Sequence, residues 1–248
     1  MNPFRHLAPL LAATLVMGTA AALADAADDV RSAARKLAEA ANYSWTATTE
    51  IEGGQWTPAP VKGKAVKGGA AVLTSERDGT TTTAVLQGTQ GVVGTDDGWK
   101  TAEELRSAAG GGGGGGGNRG AMRAGALLRN PLPAASLTKM AEKAKDLKAA
   151  DGGTVSGELP EETAKEFALM GRGGRPGGQA PAEPRNAKAS VQFWLKDGQV
   201  LKARLKVSAT LTVNGEDRDM VRTTTWEFRD VGTTSVDVPA EAKKRLGS

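Results

Sequence analysis

Residues 199–213 read QVLKARLKVSATLTV, a stretch in which apolar and polar side chains alternate without interruption. A period of two residues is typical of a β-strand that buries one face. At 15 residues the run is about three times the usual strand length, so we expect a strongly curved sheet whose apolar face needs a cover. The apolar positions are Leu201, Ala203, Leu205, Val207, Ala209, Leu211 and Val213.

The segments on either side of this run continue the sheet. The dipeptides Asp197-Gly198 and Asn214-Gly215 flank it, and both favour tight hairpin turns between antiparallel strands. The predicted neighbours are strands at 191–195, 219–229 and 234–238, followed by a short helix at 240–246.

The N-terminal half predicts a second group of strands. Alternation in residues 43–51 places Trp45 and Ile51 on one face. The dipeptides Asp78-Gly79 and Asp97-Gly98 suit hairpin turns, which indicates an antiparallel meander. Its further strands are predicted at 61–66, 70–77, 80–87 and 90–95.

Helical periodicity appears before the meander and in the middle of the chain. Asp28 or Asp29 suits the N-cap of the first helix, and Ser136 suits the N-cap of a later one. Thr101 and Glu104 have the spacing of a capping box. Helices are predicted at 28–41, 101–108, 121–129, 136–149 and 160–169, with a short strand at 154–159.

Two glycine-rich segments interrupt the pattern. Residues 110–117 are eight consecutive glycines, and we expect 110–120 and 171–187 to be flexible low-complexity loops. The remaining elements predict an α+β fold in which helices cover the apolar face of a curved antiparallel β-sheet. We expect one such domain over residues 25–248.

The N-terminus has the pattern of a secretory signal peptide. Arg5 precedes an uncharged apolar run at 7–24, which ends in the small-residue motifs Ala22-Leu23-Ala24 and Ala24-Asp25-Ala26. A membrane anchor is the alternative, because 18 apolar residues are borderline for spanning a bilayer. We expect residues 1–24 to be cleaved and the protein to be periplasmic or secreted.

Composition excludes several classes of chemistry. The chain has no Cys, so disulfides, thiolate nucleophiles, zinc–thiolate sites and lipid-modified cysteines are absent. Its single His is His6, inside the predicted signal peptide. A formal net charge of +4 is too small to indicate nucleic-acid binding. We therefore expect no metal, no cofactor and no enzymatic activity.

Three motifs have simpler explanations than the functions that they suggest. Ser136-Leu137-Thr138-Lys139 matches the S-x-x-K motif of penicillin-binding enzymes, but the companion motifs are missing. Residues 172–175, RGGR, match RNA-binding segments, but an exported protein seldom meets RNA. Lys202, Arg204 and Lys206 form a basic stripe that could touch anionic lipid headgroups, although a solvated strand face also explains it.

The C-terminal block contains two characteristic runs, FWLKDGQVLKARLKV (193–207) and TTTWEFRDVGTTSVDVPAEAKKRL (223–246). Their distinctive residues are Trp194, Asp197, Gly198, Asp230, Val231, Gly232, Val238, Pro239, Glu241 and Ala242. On these residues the block resembles the extracytoplasmic lipoprotein-carrier half-barrels, a group that includes the LolA/LolB, LppX/LprG and RseB N-domain folds.

This resemblance implies an open half-barrel whose concave face is covered by helices. Members of these families hold acyl chains or a partner peptide between sheet and helices, and they are not generally enzymes. Because this chain lacks the lipobox cysteine, the resemblance implies a form that is free in the periplasm.

Two hypotheses for function follow. The first is a non-enzymatic exported protein that binds a lipid or acyl chain between sheet and helices; it fails if side chains such as Leu137, Met140, Leu147 and Phe167 fill the concave face. The second is an envelope protein-interaction or sensor module that keeps the fold without a lipid ligand, which an uncovered sheet edge flanked by aromatics would favour. The residues predicted to line a ligand site are Trp45, Ile51, Leu201, Leu205, Val207, Leu211, Trp226 and Phe228.

Overall fold

The computed structural model describes residues 18–54, 57–110, 124–129, 132–170, 183–213 and 215–247. The helices are α1 (Gly18–Glu39), α2 (Ala102–Gly110), α3 (Pro133–Lys143), α4 (Glu161–Leu169) and α5 (Ala240–Arg245), with further helical residues at 124–127. The strands are β1 (Asn42–Ile51), β2 (Val61–Val66), β3 (Ala70–Arg77), β4 (Thr80–Gln87), β5 (Gln90–Thr95), β6 (Gly98–Thr101), β7 (Lys145–Ala150), β8 (Thr154–Leu159), β9 (Arg185–Lys196), β10 (Gln199–Val213) and β11 (Glu216–Arg229).

The described strands form one antiparallel sheet of eleven, in the order β6-β5-β4-β3-β2-β1-β11-β10-β9-β8-β7. Its centre is the pair of β1 and β11, which joins the N-terminal meander to the C-terminal strands. The edge strands β6 and β7 do not pair with each other, so the sheet is open. This arrangement confirms the predicted α+β class with an open antiparallel half-barrel sheet.

Helices bury the inner face of the sheet, as predicted. The helix α1 packs against α3 and against β7 and β10, while α4 packs against β9 and β10. The side chains that they contribute to the main core include Val30, Leu37, Leu137, Met140 and Phe167, each at most 3% exposed.

The C-terminal helix lies on the opposite face of the sheet. Ala84 and Val85 are neighbours in β4 and therefore point to opposite faces. Ala84 belongs to the main core, whereas Val85 packs with Val92 and Ala242 of α5 in a second cluster. The short helix α5 therefore covers the outer face near the β6 edge.

Most strand bounds were predictable, and two elements were predicted wrongly. The runs at 61–66, 70–77, 80–87, 90–95, 154–159 and 199–213 are strands with the predicted ends. The helix predicted at 136–149 ends at Lys143, and residues 145–150 form the edge strand β7 paired with β8. Leu147 would be buried in either conformation, so its apolar character could not decide between them.

The strand predicted at 234–238 lies outside the sheet. The backbone N–H of Thr234 donates to Oδ1 of Asn42 over 2.6 Å, and its hydroxyl donates to the carbonyl of Asp230 over 2.7 Å. One bond to β1 and one to the preceding turn therefore fix Thr234, and residues 234–238 lead to α5 without pairing to a strand.

Several ends also differ from the prediction. The helix α1 already includes Gly18, so Asp28 and Asp29 lie inside it and neither is its N-cap. The four-residue strand β6 was not predicted, and β9 begins at Arg185, so the last three residues of the predicted loop 171–187 are strand.

The remaining expectations for the N-terminus and the loops stay predictions. Residues 1–17 of the predicted signal peptide lie outside the described residues, as do 111–120 and 171–182. Among the helices that the structure describes, none is long and apolar enough to cross a membrane.

Candidate functional site

The helical cover of the inner face leaves a gap at the centre of the sheet. The main contacts of α1 and α4 with the sheet go to β7, β9 and β10, those of α2 go to β5 and β6, and α3 packs mainly on α1. The inner faces of β1, β2 and β11 lie between these two groups. A cavity of about 420 Å³ occupies this position.

The walls of the cavity are mainly apolar. Its deep part is formed by fully buried side chains, among them Trp45, Leu73, Leu205 and Trp226. Its open side is formed by half-buried residues of the β1–β2 connection, β11 and the end of α4. These are Ile51, Pro58, Ala59, Met170, Met220 and Arg222.

A glycine positions the indole of Trp45 at the cavity wall. Gly63 of β2 is the register partner of Trp45, and the ring lies across its backbone. A Cβ at Gly63 would come within 2.1 Å of the Trp45 ring. The ring of Tyr43, 5.3 Å away between centroids, packs beside it, so the indole is held from two sides.

The phenol of Tyr43 has a raised pKa. Burial raises the pKa of its phenol to about 12, and a backbone hydrogen bond with Ala134 offsets this only in part. The phenol therefore stays neutral and contributes to an uncharged inner layer behind the cavity.

Polar side chains in the cavity wall are few: Thr49, Thr224 and Arg222 are half-buried, and Ser136 is buried. The hydroxyls of Thr49 and Thr224 face each other across β1 and β11 at 3.3 Å. The guanidinium of Arg222 donates one hydrogen bond to the carbonyl of Met170 over 2.9 Å and another to the carbonyl of Phe167. These carbonyls end α4, where a cation and N–H donors are both favourable. Arg222 therefore ties β11 to α4 beside the cavity.

The structure brings together only part of the predicted lining. Trp45, Ile51, Leu205 and Trp226 line the cavity. The other buried members of the set lie elsewhere in the core, packed by neighbouring side chains. These are Val207, Leu211 and Phe228.

Leu201 is on the opposite face from the one predicted. The register between β9 and β10 shifts between Val200 and Lys202, as at a β-bulge. The extra residue reverses the alternation, so Val200 is 2% exposed and Leu201 is 43% exposed. Its prediction as a lining residue is therefore wrong.

Sequence reasoning missed Arg222 and Met220 of β11. Both continue the inward alternation that Thr224, Trp226 and Phe228 begin. A charged residue at an inward position of an alternating strand indicates a buried polar contact, and this signal could have identified Arg222.

The concave face is filled only in part. Leu137, Met140, Leu147 and Phe167 are all buried; they belong to α3, β7 and α4, which pack with α1 and with β8–β10. The cavity lies beyond them, so the condition that would have excluded a ligand there is not met.

The S-x-x-K residues do not form a nucleophile–base pair. Leu132 is the N-cap of α3, so Ser136 lies inside the helix and not at its start as predicted. The ammonium of Lys139 forms an ion pair with Glu166 of α4, and Ser136 is buried at the cavity wall. No cluster of potential metal ligands occurs among the residues described.

The comparisons with known proteins find similarity in structure alone. No family model matches the chain, and no curated protein matches it. The lipoprotein LppX of Mycobacterium tuberculosis aligns with a TM-score of 0.45 and 11% identity over 87% of this chain and 99% of its own. LprF from Mycobacterium bovis aligns with a TM-score of 0.45 and 12% identity, over 88% of this chain and 98% of its own. A LolA superfamily protein from Nitrosomonas europaea aligns with a TM-score of 0.29 and 11% identity, over 88% of this chain and 95% of its own.

LppX and the LolA superfamily are also among the groups that the C-terminal block resembles in sequence. The fold class follows from the strand order of the chain itself.

Proposed function

We propose that this chain is a non-enzymatic exported protein that binds a lipid or acyl chain in the central cavity. The observation that carries the proposal is the apolar cavity at the gap in the helical cover, with Trp45, Leu205 and Trp226 in its deep part. Export is part of the proposal and is supported by the N-terminal sequence pattern.

The size of the cavity suits one acyl chain. A volume of about 420 Å³ falls within the range of ligand pockets, about 300–1,000 Å³. A methylene fills about as much space as a water molecule, roughly 30 Å³, so the cavity takes a chain of about fourteen carbons. Each methylene removed from water contributes about 0.8 kcal/mol to binding. If about ten of the fourteen carbons are fully buried, they supply roughly 8 kcal/mol, from which the cost of the entropy lost on association is subtracted.

The side chains of the cavity support binding over catalysis. Among the described residues, the lining contains the hydroxyls of Thr49, Thr224 and Ser136 and the guanidinium of Arg222, and it contains no carboxylate and no imidazole. General acid–base or nucleophilic chemistry requires a base within reach of a nucleophile, and these lining residues offer no base.

The two sheet edges give little support to the alternative, an envelope protein-interaction module. The β6 edge carries Trp99, but α2 and α5 contact this strand. The edge strand β7 carries Lys145 and Lys148, and its register is broken around Asp146, which has a φ of +52°. Lysines and bulges at an edge discourage strand addition by a partner. This alternative therefore stays a prediction.

The test is native mass spectrometry of the protein, recovered from the exported fraction of its cells without detergent. The proposal predicts an additional bound mass that extracts into organic solvent and matches a lipid. A ligand-free mass, together with no uptake from added phospholipid vesicles, would contradict the proposal and direct attention to a protein partner, sought by crosslinking.

Matched variants connect the ligand to this cavity. Leu205→Arg places a charge in the cavity and is expected to abolish uptake, whereas Val66→Arg, at an exposed position of β2 outside the cavity lining, leaves uptake unchanged. Because Leu205→Arg could unfold the protein, Ala47→Leu is the second variant. It adds about 90 Å³ of apolar volume, roughly a fifth of the cavity, and should reduce uptake in a folded protein.

A further inference from the structure

The outer face of β7–β10 is uncovered and strongly basic. Among the described helices, α1, α3 and α4 pack on the inner side, and α5 covers the outer side only near β5 and β6. Because the inner positions of these four strands are apolar, their charged side chains lie on the outer side. We call this surface the basic face. Its cationic residues are Lys145, Lys148, Arg185, Lys188, Lys196, Lys202, Arg204 and Lys206.

Charge is segregated onto this face. The four strands hold eight basic residues against two acidic ones, Asp146 and Glu158, a net charge of +6. The whole chain has a net charge of +4, so the rest of the chain is net negative. Even with Lys206 paired to Glu52 at 2.8 Å and Arg185 paired to Asp217, the face keeps most of its excess cations.

An indole lies among these cations. Trp194 of β9 is half-buried on the outer side, with the ammonium of Lys202 at 4.9 Å and the guanidinium of Arg204 at 5.4 Å from its ring centroid. Tryptophan combines a large apolar ring with one N–H donor, which suits it to the boundary between a membrane and water. Cations that surround it would meet the headgroups at that boundary.

A broad depression adjoins the cations. It has a volume of about 630 Å³ and crosses β7–β10 beside Arg204 and Lys206. Its polar side chains combine cations and hydroxyls with two carboxylates. They are Lys148, Arg204, Lys206, Ser156, Ser190, Gln192, Asp146 and Glu158. Lysine, arginine and serine are the side chains that bind phosphate oxygens.

We propose that the basic face docks this protein onto the surface of a membrane that contains anionic phospholipids, with Trp194 at the interface. The charge is spread over four strands around one indole, which fits a fluid sheet of headgroups better than the fixed charge pattern of an acidic protein. The inference is independent of the cavity ligand, because none of its residues lines the cavity.

The test is co-flotation of the protein, recovered from the exported fraction, with vesicles of phosphatidylcholine with or without phosphatidylglycerol. We expect binding to the anionic vesicles only, and weaker binding as salt is added. Each cation near an anionic surface contributes about a fivefold factor in affinity. The triple variant Lys148→Gln, Lys202→Gln, Arg204→Gln should therefore bind about a hundredfold more weakly.

The control removes the same charge from another part of the sheet, with Lys62→Gln, Lys64→Gln and Lys67→Gln at β2. We expect this triple to retain most of the binding. If the two triple variants lose vesicle binding equally, binding follows the net charge of the protein alone. If the unchanged protein does not bind anionic vesicles at low salt, the partner is not a membrane. Either result overturns the proposal.

A spectroscopic measurement locates the contact. Vesicle binding should shift the fluorescence of Trp194 to shorter wavelength, and Trp194→Phe should remove that shift. If the shift persists in Trp194→Phe, a different surface of the protein makes the contact and the proposal fails.

Discussion

Adding a single methyl group at Gly63 should destabilise the protein, although alanine is normally the better residue in a strand. Gly63 lies in β2 opposite Trp45 of β1. The Cβ of an alanine would lie 2.1, 2.3 and 2.5 Å from three atoms of the indole ring, where no real contact is possible. Because Trp45 is only 4% exposed, the ring has little room to move.

The expected size of the effect follows from two opposing terms. Glycine inside a strand is about 0.5–1 kcal/mol less favourable than alanine, so the substitution gains that amount. Overpacking a core typically costs about 1–3 kcal/mol. We expect Gly63→Ala to lower the free energy of unfolding by about 1–2 kcal/mol, which corresponds to a Tm lower by roughly 2–8 °C.

Gly94 of β5 provides the matched control. The nearest atoms to a Cβ there lie at 3.7 Å, an ordinary contact, so Gly94→Ala should be neutral or stabilising by up to about 1 kcal/mol. Urea unfolding followed by circular dichroism compares the two variants with the unchanged protein. If Gly63→Ala is as stable as Gly94→Ala, the packing argument for Trp45 is wrong.

A double-mutant cycle tests the cause. If the penalty of Gly63→Ala comes from the indole, it should shrink in a Trp45→Leu background, because the smaller side chain leaves room for the methyl group. An unchanged penalty would place the strain elsewhere. Since Trp45 lines the cavity, Gly63→Ala should also change lipid uptake, whereas Gly94→Ala should not.

Three further predictions concern single side chains. Arg222→Gln should lower the free energy of unfolding by about 2–3 kcal/mol and speed hydrogen exchange at the end of α4, because two carbonyls lose their charged donor. Arg222→Lys should restore only part of this loss, because a single ammonium replaces the two N–H groups that donate to the two carbonyls. Tyr43 is the single tyrosine, so phenolate absorbance should appear with a pKa of about 12 in the folded protein and near the ordinary value of 10.0 in the unfolded protein. The free energy of unfolding should fall as pH rises between these two values, because the phenol ionises first in the unfolded chain. Tyr43→Phe should remove this contribution of the phenol to the pH dependence. Thr101→Val should remove the capping box and about 1 kcal/mol of stability. The pKa of Glu104 is lowered first by the backbone N–H of Thr101, which the variant keeps, and also by the Thr101 hydroxyl, which the variant removes. The part of the loss that comes from this hydroxyl should diminish as pH falls through the lowered pKa, measured by urea unfolding across the acid range.

Alternation and turn dipeptides were sufficient to predict most of the sheet. In β10 every second residue from Ala203 to Leu211 is buried, as the sequence pattern requires. The dipeptides Asp78-Gly79 and Asp197-Gly198 are turns with positive φ at both residues, which is the backbone that a two-residue hairpin needs. These features depend on neighbouring residues, and for that reason they can be read from the sequence.

The errors occur where distant partners decide the conformation. Residues 145–150, KDLKAA, consist mostly of good helix formers, yet β8 pairs with them and they form a strand. Leu201 changes face because β9 pairs with β10 across a bulge, and nothing in the alternation itself marks that position. Pairing between strands is a tertiary interaction, so it can override a local preference.

The position of the cavity depends both on local alternation in the sequence and on pairing between distant strands. Alternation makes the inner faces of β1 and β11 apolar, but these strands are paired although they lie near opposite ends of the chain. The helices α1, α4 and α2 contact the strands to either side of this pair, and over its inner face only Ala126 and the start of α3 reach the cavity. Apolar surface left uncovered in this way favours occupation by an apolar molecule, because each methylene that replaces water there contributes to binding. The proposed ligand site between Trp45 and Trp226 would therefore follow from where the chain's two halves meet, and the proposal predicts that a variant which fills this cavity without unfolding the sheet loses lipid uptake and keeps the fold.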